Sequence, residues 1–345
     1  MDLLLEILSA KVDIEGSKEV LAILERITES YCLQGDFLRA SNTLRLLNHL
    51  IEGASDLPES RRESIREAVE RLGNSEKLKG LASVLNRTEE EEDLFAFISY
   101  VSFFGPRAIM PLCEILGDLK RMKARRILCE AIAKIAQGHL DQLGSTIKDS
   151  RWYLVRNVAY IFGLMKDPQG VRYLRELIKH EEPRVKKEAI RSLGLIGDVA
   201  SRDQLLSCLN SPEGFVRISA VGVLSTLAER RTLPLLLKMI EEKQFADRDW
   251  EEKRLVFEAV GRLGSDQILP LLKVVLLRRG LFHRSRVEEM RRGAALALSL
   301  LGTGEARRTL EEGTRAGNKA VVEASRWALS KIHLPAPQIE EEDLA

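Results

Sequence analysis

The stretch DPQGVRYLRELIKHEEPRVKKEAIRSLGLIGD, residues 167–198, decides the fold. Asp167 before Pro168 predicts a helix start, because aspartate caps helices and proline suits the first helical position. Pro183 opens a second helix by the same reasoning, and Gly197 marks its end. The apolar residues recur at helical spacing: Val171, Leu174, Leu177 and Ile178, then Val185, Ala189, Ile190, Leu193 and Ile196. Two such helices cannot bury both apolar faces alone, so the segment predicts a helical hairpin that stacks on further copies.

Weaker copies of the second helix recur along the chain. Three of them share a valine, a following basic residue and an alanine four residues after the valine, at steps of 30 and 31 residues: Val155-Arg156 with Ala159, Val185-Lys186 with Ala189, and Val216-Arg217 with Ala220. Less regular copies lie around Arg126, Lys253, Arg291 and Val322. A proline recurs in the first helix at Pro111, Pro234 and Pro270. This spacing predicts about seven units between residues 106 and 332.

These features resemble the HEAT-repeat family, especially its short bacterial form of the phycobilisome-lyase type. The matching features are the V-R-x-x-A step, the proline of the first helix, and a Leu-Gly pair near the end of the second helix, as in Leu263-Gly264 and Leu301-Gly302. The resemblance implies an all-α fold, a right-handed α-solenoid (superhelix) of HEAT-like helical hairpins with a helical N-terminal cap. An unrelated helical bundle is the alternative. The family contains scaffolds, transport factors, lyase subunits and a few enzymes, so the resemblance implies no single activity.

The sequence predicts three regions. Residues 1–95 are expected to be helical without the repeat signature, and 20–33 with 37–51 predicts a hairpin of the kind that caps solenoids. Residues 96–332 form the repeat array. Residues 333–345, an acidic segment with two prolines, predict a disordered tail.

The net charge of +1 hides an uneven distribution. Residues 1–95 carry 12 basic and 20 acidic groups, and residues 333–345 carry four acidic groups without a lysine or arginine. The array at 96–332 therefore holds 41 basic and 28 acidic groups, a balance of +13. This predicts either an anionic partner or packing of the acidic ends on the array, and the sequence leaves both open.

Positions on the second helices are the first set of candidate contacts. The residue after the basic one of the V-R step is expected on the concave surface that these helices form, and Lys187 and Arg191 share a face. The predicted contacts are Asn157, Lys187, Arg191, Arg254 and Arg292. The basic residue of the step is expected to form a ladder of ion pairs with acids such as Asp167 and Asp198, with ligand binding as the alternative. Trp152 and Trp327 are expected to fill space between units.

Two units have longer turns between their helices, at 241–252 and 278–289. Equivalent turns of a solenoid lie side by side, so these insertions predict a ridge for partner binding. Aromatic and arginine residues are the usual anchors of an interface, and the predicted contacts are Phe245, Trp250, Phe282, His283 and Arg284. The alternative is that Trp250 and Phe282 pack back onto the second helix of their own unit.

The sequence gives no catalytic constellation. It lacks the phosphate-binding, dinucleotide-binding, zinc-protease and serine-hydrolase motifs, and its five histidines are scattered. Deoxyhypusine hydroxylase, an enzyme with HEAT repeats, holds iron through repeated His-Glu pairs, whereas here only His180-Glu181 matches. We therefore predict no metal and no cofactor. The four cysteines are expected to be buried free thiols, with a Cys113–Cys129 disulfide as the alternative.

Two functions follow from these observations. The first is a non-catalytic scaffold or adaptor that presents a concave groove and a loop ridge to another protein. The second is a nucleic-acid-binding protein or DNA-repair enzyme that uses Arg126, Lys187, Arg254 and Arg292, similar to the HEAT-like alkylpurine DNA glycosylases, whose basic groove with Trp and Asp would correspond to Trp152 and Asp149. The N-terminus lacks the features of an export signal, and the longest uncharged apolar run, 95–104, is too short to span a bilayer. The cytoplasm is the expected location.

Overall fold

The computed structural model describes residues 14–53, 57–278 and 284–332. Within these ranges every regular element is helical. The predicted tail at 333–345 lies outside the described residues. The internal contacts of the chain divide it into an N-terminal unit, Met1–Ile196, and a C-terminal unit, Gly197–Ala345.

Twelve described α-helices belong to the N-terminal unit. In chain order they are α1 Ile14–Gln34, α2 Phe37–Gly53, α3 Glu59–Leu72, α4 Ser75–Gly80, α5 Ala82–Arg87, α6 Glu91–Ser102, α7 Ile109–Asp118, α8 Met122–Ile135, α9 Leu140–Gly144, α10 Trp152–Met165, α11 Val171–Leu177 and α12 Pro183–Ile196. From α7 onward they form three pairs, each with a first (A) helix and a second (B) helix. The B helices α8, α10 and α12 pack on one another in order, and α6 packs on α8.

The C-terminal unit repeats this arrangement with four described pairs. Its helices are α13 Val199–Cys208, α14 Gly214–Thr226, α15 Thr232–Glu241, α16 Trp250–Leu263, α17 Leu269–Leu277, α18 Arg284–Leu301, α19 Gly304–Gly313 and α20 Lys319–Leu329. The B helices α14, α16, α18 and α20 stack in order, and each also packs on the A helix of its own pair. The predicted all-α solenoid of helical hairpins is confirmed.

The hairpin of residues 167–196 forms as its sequence predicts. The Asp167 side chain accepts a hydrogen bond of 2.8 Å from the backbone N–H of Gln169, and a 3-10 turn leads into α11. Helix α12 begins at Pro183 and ends before Gly197, whose φ of 66° lies in the left-handed region that favours glycine. Its apolar face is fully buried at Val185, Ala189, Ile190 and Leu193.

Helix α6 runs through the predicted boundary at residue 95. Phe97 and Tyr100 on this helix are buried, and the Phe97 ring meets Phe37 of α2 edge-on at 5.0 Å between centroids. The aromatic contact joins the predicted cap to the first part of the predicted array. The cap and the first part of the array therefore belong to the same N-terminal unit. Helical periodicity alone could not indicate this long-range contact between Phe37 and Phe97.

Glu229 closes the turn that follows α14. The turn places Ala228 at a φ of 49°, and the buried Glu229 carboxylate accepts hydrogen bonds from the backbone N–H of Arg231 at 3.1 Å and from its Nε at 2.9 Å. An ion pair of 3.2 Å with Arg202 adds to them. The side-chain hydrogen bond from Arg231 is the main reason that the pKa of Glu229 falls from 4.5 to about 2.

Replacement of Glu229 by glutamine is expected to change how stability depends on pH. Because the folded-state pKa lies below the unfolded value, ionised Glu229 stabilises the fold above pH 4.5, and this contribution is lost as the pH falls towards 2. Glu229→Gln should therefore be less stable than the natural protein at pH 7, and the difference should shrink as the pH falls through that window. Urea denaturation at several pH values measures it. A difference that stays constant from pH 7 to pH 2 would contradict the assignment.

Candidate functional site

Three large side chains gather on the B-helix face of the C-terminal unit. The Arg292 guanidinium of α18 lies 5.3 Å from the ring centroid of Trp250 on α16. On its other side, Arg292 shares an open pocket with Trp327 of α20, whose surface is 38% exposed. The structure thus brings together two predicted contacts, Trp250 and Arg292. It adds Trp327, which the sequence analysis assigned to packing between units.

The pocket between α18 and α20 has a volume of about 350 Å³. Its lining residues are Glu288, Arg292, Ala320, Glu323, Ala324 and Trp327. One aromatic ring, two alanines and three charged groups therefore surround one open cavity, a combination typical of a binding surface rather than of a core. Val322 and Lys186 occupy the same position of the repeat, and Trp327 follows Val322 by five residues, as Arg191 follows Lys186. This equivalence to Arg191 was the signal that could have placed Trp327 on the exposed face.

Arg254 lies on the same helix as Trp250, but its charge is engaged. Its Nε and Nη2 donate to Glu251 at 3.1 and 2.8 Å, and its Nη1 donates to Glu258 at 2.9 Å. The two carboxylates belong to α16 itself, so the cluster closes within one helix. The charge of Arg254 is therefore compensated by carboxylates of its own helix.

The N-terminal unit has a comparable B-helix face. The guanidinium of Arg184 on α12 lies 4.6 Å from the Trp152 ring of α10, and that of Arg191 lies 5.8 Å from the Tyr160 ring. Arg191 also pairs with Glu188 at 3.4 Å, whereas the predicted contact Lys187 is exposed on the same helix. Arginine laid on aromatic rings between neighbouring B helices is thus a recurring feature of both units.

Two predicted contacts are buried instead of exposed. Asn157 of α10 is 4% exposed, and its side-chain oxygen accepts a hydrogen bond of 2.8 Å from Arg156. Phe245 is fully buried, with its ring 6.0 Å from that of Phe257 on α16. The structure therefore buries both side chains, whereas the predicted partner contact requires exposed ones.

Part of the predicted ridge lies outside the described residues. Phe282 and His283 fall in the gap at 279–283, and for Arg284 the structure describes the start of α18 without the side chain. The other insertion is folded: a 3-10 turn, Lys243–Asp247, carries Phe245 inward. The described part of the predicted ridge is therefore anchored on the core.

The predicted ladder of ion pairs is present, with different acids from those expected. Arg217 donates from Nε and Nη2 to Glu252, both at 2.7 Å, and Lys253 pairs with Glu289 one B helix further on. Asp167 and Asp198 instead accept backbone hydrogen bonds at helix starts. The acids of the ladder are glutamates near the N-terminal ends of the neighbouring B helices.

Outside this surface, the side chains that could take part in catalysis are held in structural contacts. Asp149 accepts hydrogen bonds of 2.8 and 2.9 Å from Arg151, which lower the pKa of the carboxyl group. The Nδ1 atom of His180 accepts from the backbone N–H of Glu182 at 2.9 Å. All four cysteines are free and buried, as predicted, and burial raises the pKa of Cys113 to about 12.

The described part of the chain has neither a metal-binding cluster nor a membrane-spanning helix. No group of three or more His, Cys, Asp or Glu side chains there could hold a metal ion. None of the described helices combines the length and the apolar character needed to cross a bilayer.

Comparison with known proteins assigns the repeat. A sequence profile of HEAT repeats matches residues 140–225 and 176–248. Residues 140–248 therefore carry HEAT repeats. Over 88 residues the chain is 35% identical to deoxyhypusine hydroxylase of Aspergillus niger, a match that covers 25% of this chain and 26% of that enzyme. The chain thus spans about a quarter of the curated relative that it matches.

Solved helical proteins match this chain at low identity. Kap121p is 14% identical, with 93% of this chain and 42% of that chain covered and a TM-score of 0.45. Importin beta is 14% identical, with 96% and 59% covered and a TM-score of 0.42. An engineered protein is 15% identical, with 95% and 98% covered and a TM-score of 0.37.

Proposed function

We propose that this protein is a non-catalytic scaffold that binds another protein through the B-helix face of its C-terminal unit. The observation that carries the proposal is the assembly of Trp250, Arg292 and Trp327 on that face, with an open pocket beside it. Tryptophan and arginine are the side chains most enriched among residues that dominate protein–protein binding energy. The half-exposed rings rest on a helical scaffold that needs no partner to hold them in place.

The local charges support a protein partner over a nucleic acid. Of the four residues predicted for nucleic-acid binding, Arg126 pairs with Glu91 at 3.2 Å and Arg254 pairs with two glutamates of its own helix. Binding to a phosphate backbone depends on cations that release counterions, and carboxylates beside those cations oppose it. Two of the four cations named for nucleic-acid binding are therefore paired with carboxylates, which favours a partner of mixed charge.

Photo-crosslinking tests the proposal directly. A benzoylphenylalanine placed at Ile218 on the B-helix face of α14 should form crosslinks to a protein in cells, and Trp250→Ala combined with Arg292→Ala should abolish most of them. Loss of such anchors typically costs about 2 kcal/mol or more each, which corresponds to a decrease in affinity of at least about thirtyfold. Val274 on the A helix α17 is 66% exposed and provides the matched control position.

Two results would contradict the scaffold. One is an equal crosslinking yield from positions 218 and 274 that Trp250→Ala with Arg292→Ala leaves unchanged. The other is tight binding of a DNA or RNA duplex with a steep decrease in affinity as salt is raised. The second result would favour the nucleic-acid alternative.

Hydroxylase activity is not part of the proposal, although the chain is similar to deoxyhypusine hydroxylase over 88 residues. The sequence contains one His-Glu pair, His180-Glu181, and His180 is engaged in its own turn. We propose the cytoplasm as the location, and the four free cysteines support a reducing compartment.

A further inference from the structure

The pocket between α18 and α20 has the chemistry of a receptor for a cationic side chain. Its floor is formed by small residues, Ala320 and Ala324, with Ala324 buried. Glu323 and Trp327 lie one turn apart on α20, so the carboxylate and the indole ring belong to one face of that helix. Glu288 of α18 lines the opposite wall. An aliphatic stem can lie on the alanines and the indole while its charged end meets the carboxylates.

The cation already present in the pocket leaves this site open. Arg292 lines the pocket, but its guanidinium lies over the ring of Trp250 on the neighbouring helix α16, 5.3 Å from the ring centroid. Trp327 keeps 38% of its surface exposed. The two tryptophans therefore differ: Trp250 has an arginine of this chain on its ring, whereas Trp327 lines the pocket and is partly exposed.

Glu323 can exchange its present partner at little cost. It pairs with Lys319 at 3.7 Å, and the side chains are 65% and 91% exposed. An exposed pair at this distance contributes about 0–1 kcal/mol. An incoming ammonium or guanidinium group that also stacks on Trp327 would gain the cation–ring interaction in addition to the ion pair.

The segment that follows α20 does not match this chemistry. Residues 333–345 carry four acidic groups and neither lysine nor arginine. Their charge has the same sign as the two carboxylates of the pocket. A basic segment of another protein is the occupant that the charges favour.

We propose that the pocket between α18 and α20 binds a lysine or arginine side chain presented by an exposed basic segment of a partner protein. The inference rests on the proposed scaffold function and names the chemistry of one contact. Glu323 and Trp327 are the residues that recognise the cation, and Arg292 bounds the site on the side of Trp250.

Indole NMR signals provide a site-specific test, because the chain has three tryptophans. Trp152→Phe and Trp250→Phe assign the three ¹⁵N-indole signals of the full-length protein. The probes are the blocked pentapeptide Gly-Gly-Lys-Gly-Gly and its arginine, acetyl-lysine and glutamate counterparts. The lysine and arginine peptides should shift the Trp327 signal in a saturable way and leave the Trp152 signal unchanged. The acetyl-lysine peptide should bind at least about tenfold more weakly, since it lacks the charge.

The matched variants are Glu323→Gln and Glu311→Gln. Each removes one carboxylate from an exposed pair separated by four residues, since Glu311 of α19 accepts from Arg307 at 3.0 Å outside the pocket. Glu323→Gln should lower the affinity for the lysine peptide by about fivefold or more, and Glu311→Gln should leave that affinity within about twofold of the unsubstituted protein's.

The inference fails if the Trp327 signal does not move, if acetyl-lysine binds as well as lysine, if Glu323→Gln has no larger effect than Glu311→Gln, or if the glutamate peptide gives the largest shift. The last result would assign the pocket to an acidic partner through Arg292. Crosslinking from position 218 separates the two proposals. If the peptides do not bind, partner crosslinks that depend on Trp250 and Arg292 would still support the scaffold function. Peptide binding without such crosslinks would support the cation-binding pocket and contradict the scaffold function.

Discussion

Replacing Glu252 with alanine is expected to destabilise the C-terminal unit by about 3–5 kcal/mol. Glu252 is 3% exposed on α16, and it accepts 2.7 Å hydrogen bonds from both Arg217 and Arg248. The hydrogen bonds to Glu252 are the main reason that the pKa of Arg217 is raised. Without the carboxylate, the mostly buried guanidinium group of Arg217 would lose its carboxylate partner, and Arg248 would keep only its longer ion pair with Glu242 at 3.6 Å.

The adjacent residue provides the control for this prediction. Glu251 also pairs with an arginine of α16, Arg254 at 2.8 Å, but its side chain is 58% exposed. Glu251→Ala should therefore change stability by no more than about 1 kcal/mol. Urea denaturation gives the total effect, and hydrogen exchange of the α16 amides shows whether the loss is local, because helical repeats can open one unit at a time. Equal effects of the two substitutions would show that the buried network is not stabilising.

The helices and their pairing were predictable because their signals are local. Asp167, Pro183 and Gly197 define the ends of two helices through capping and backbone preferences that act within a few residues. The repeat of about 30 residues then required these hairpins to stack. The sequence placed Arg292 in the concave groove and Trp250 on the loop ridge, and the structure brings the two side chains together.

The contacts between helices were less predictable. The sequence placed Phe245 on a ridge because it lies in an insertion, but the 3-10 turn carries its ring onto Phe257. Asn157 is buried on a helix that packs on both neighbouring B helices, and spacing on one helix does not show such packing. The ladder acid Glu252 lies 35 residues from Arg217, so its role depends on the stacking of whole repeats. Helical periodicity identifies a face, whereas burial depends on what packs against that face.

The close approach of α16 and α18 depends on glycine. A Cβ at Gly261 of α16 would lie 2.6 Å from the carbonyl oxygen of Ala297 and 2.9 Å from its Cα. These are backbone atoms of α18, so a rotamer change cannot relieve the overlap and the helices must move apart. Gly293 on α18 is needed for the same reason, because a Cβ there would overlap the ring of Phe257 on α16. The two glycines thus set the distance between the helices that carry Trp250 and Arg292.

Gly261→Ala is accordingly expected to destabilise the C-terminal unit by about 1–3 kcal/mol, although alanine favours helix formation by about 1 kcal/mol over glycine. Gly222→Ala is the matched control, since a Cβ at Gly222 in the B helix α14 would meet nothing within 4 Å. That substitution should stabilise the protein by about 1 kcal/mol. The same change should therefore have opposite signs at two B-helix positions, as measured by the urea denaturation midpoint. If both variants were stabilised, α16 and α18 could not pack as closely as described, and the distance between Trp250 and Arg292 would lose its structural basis.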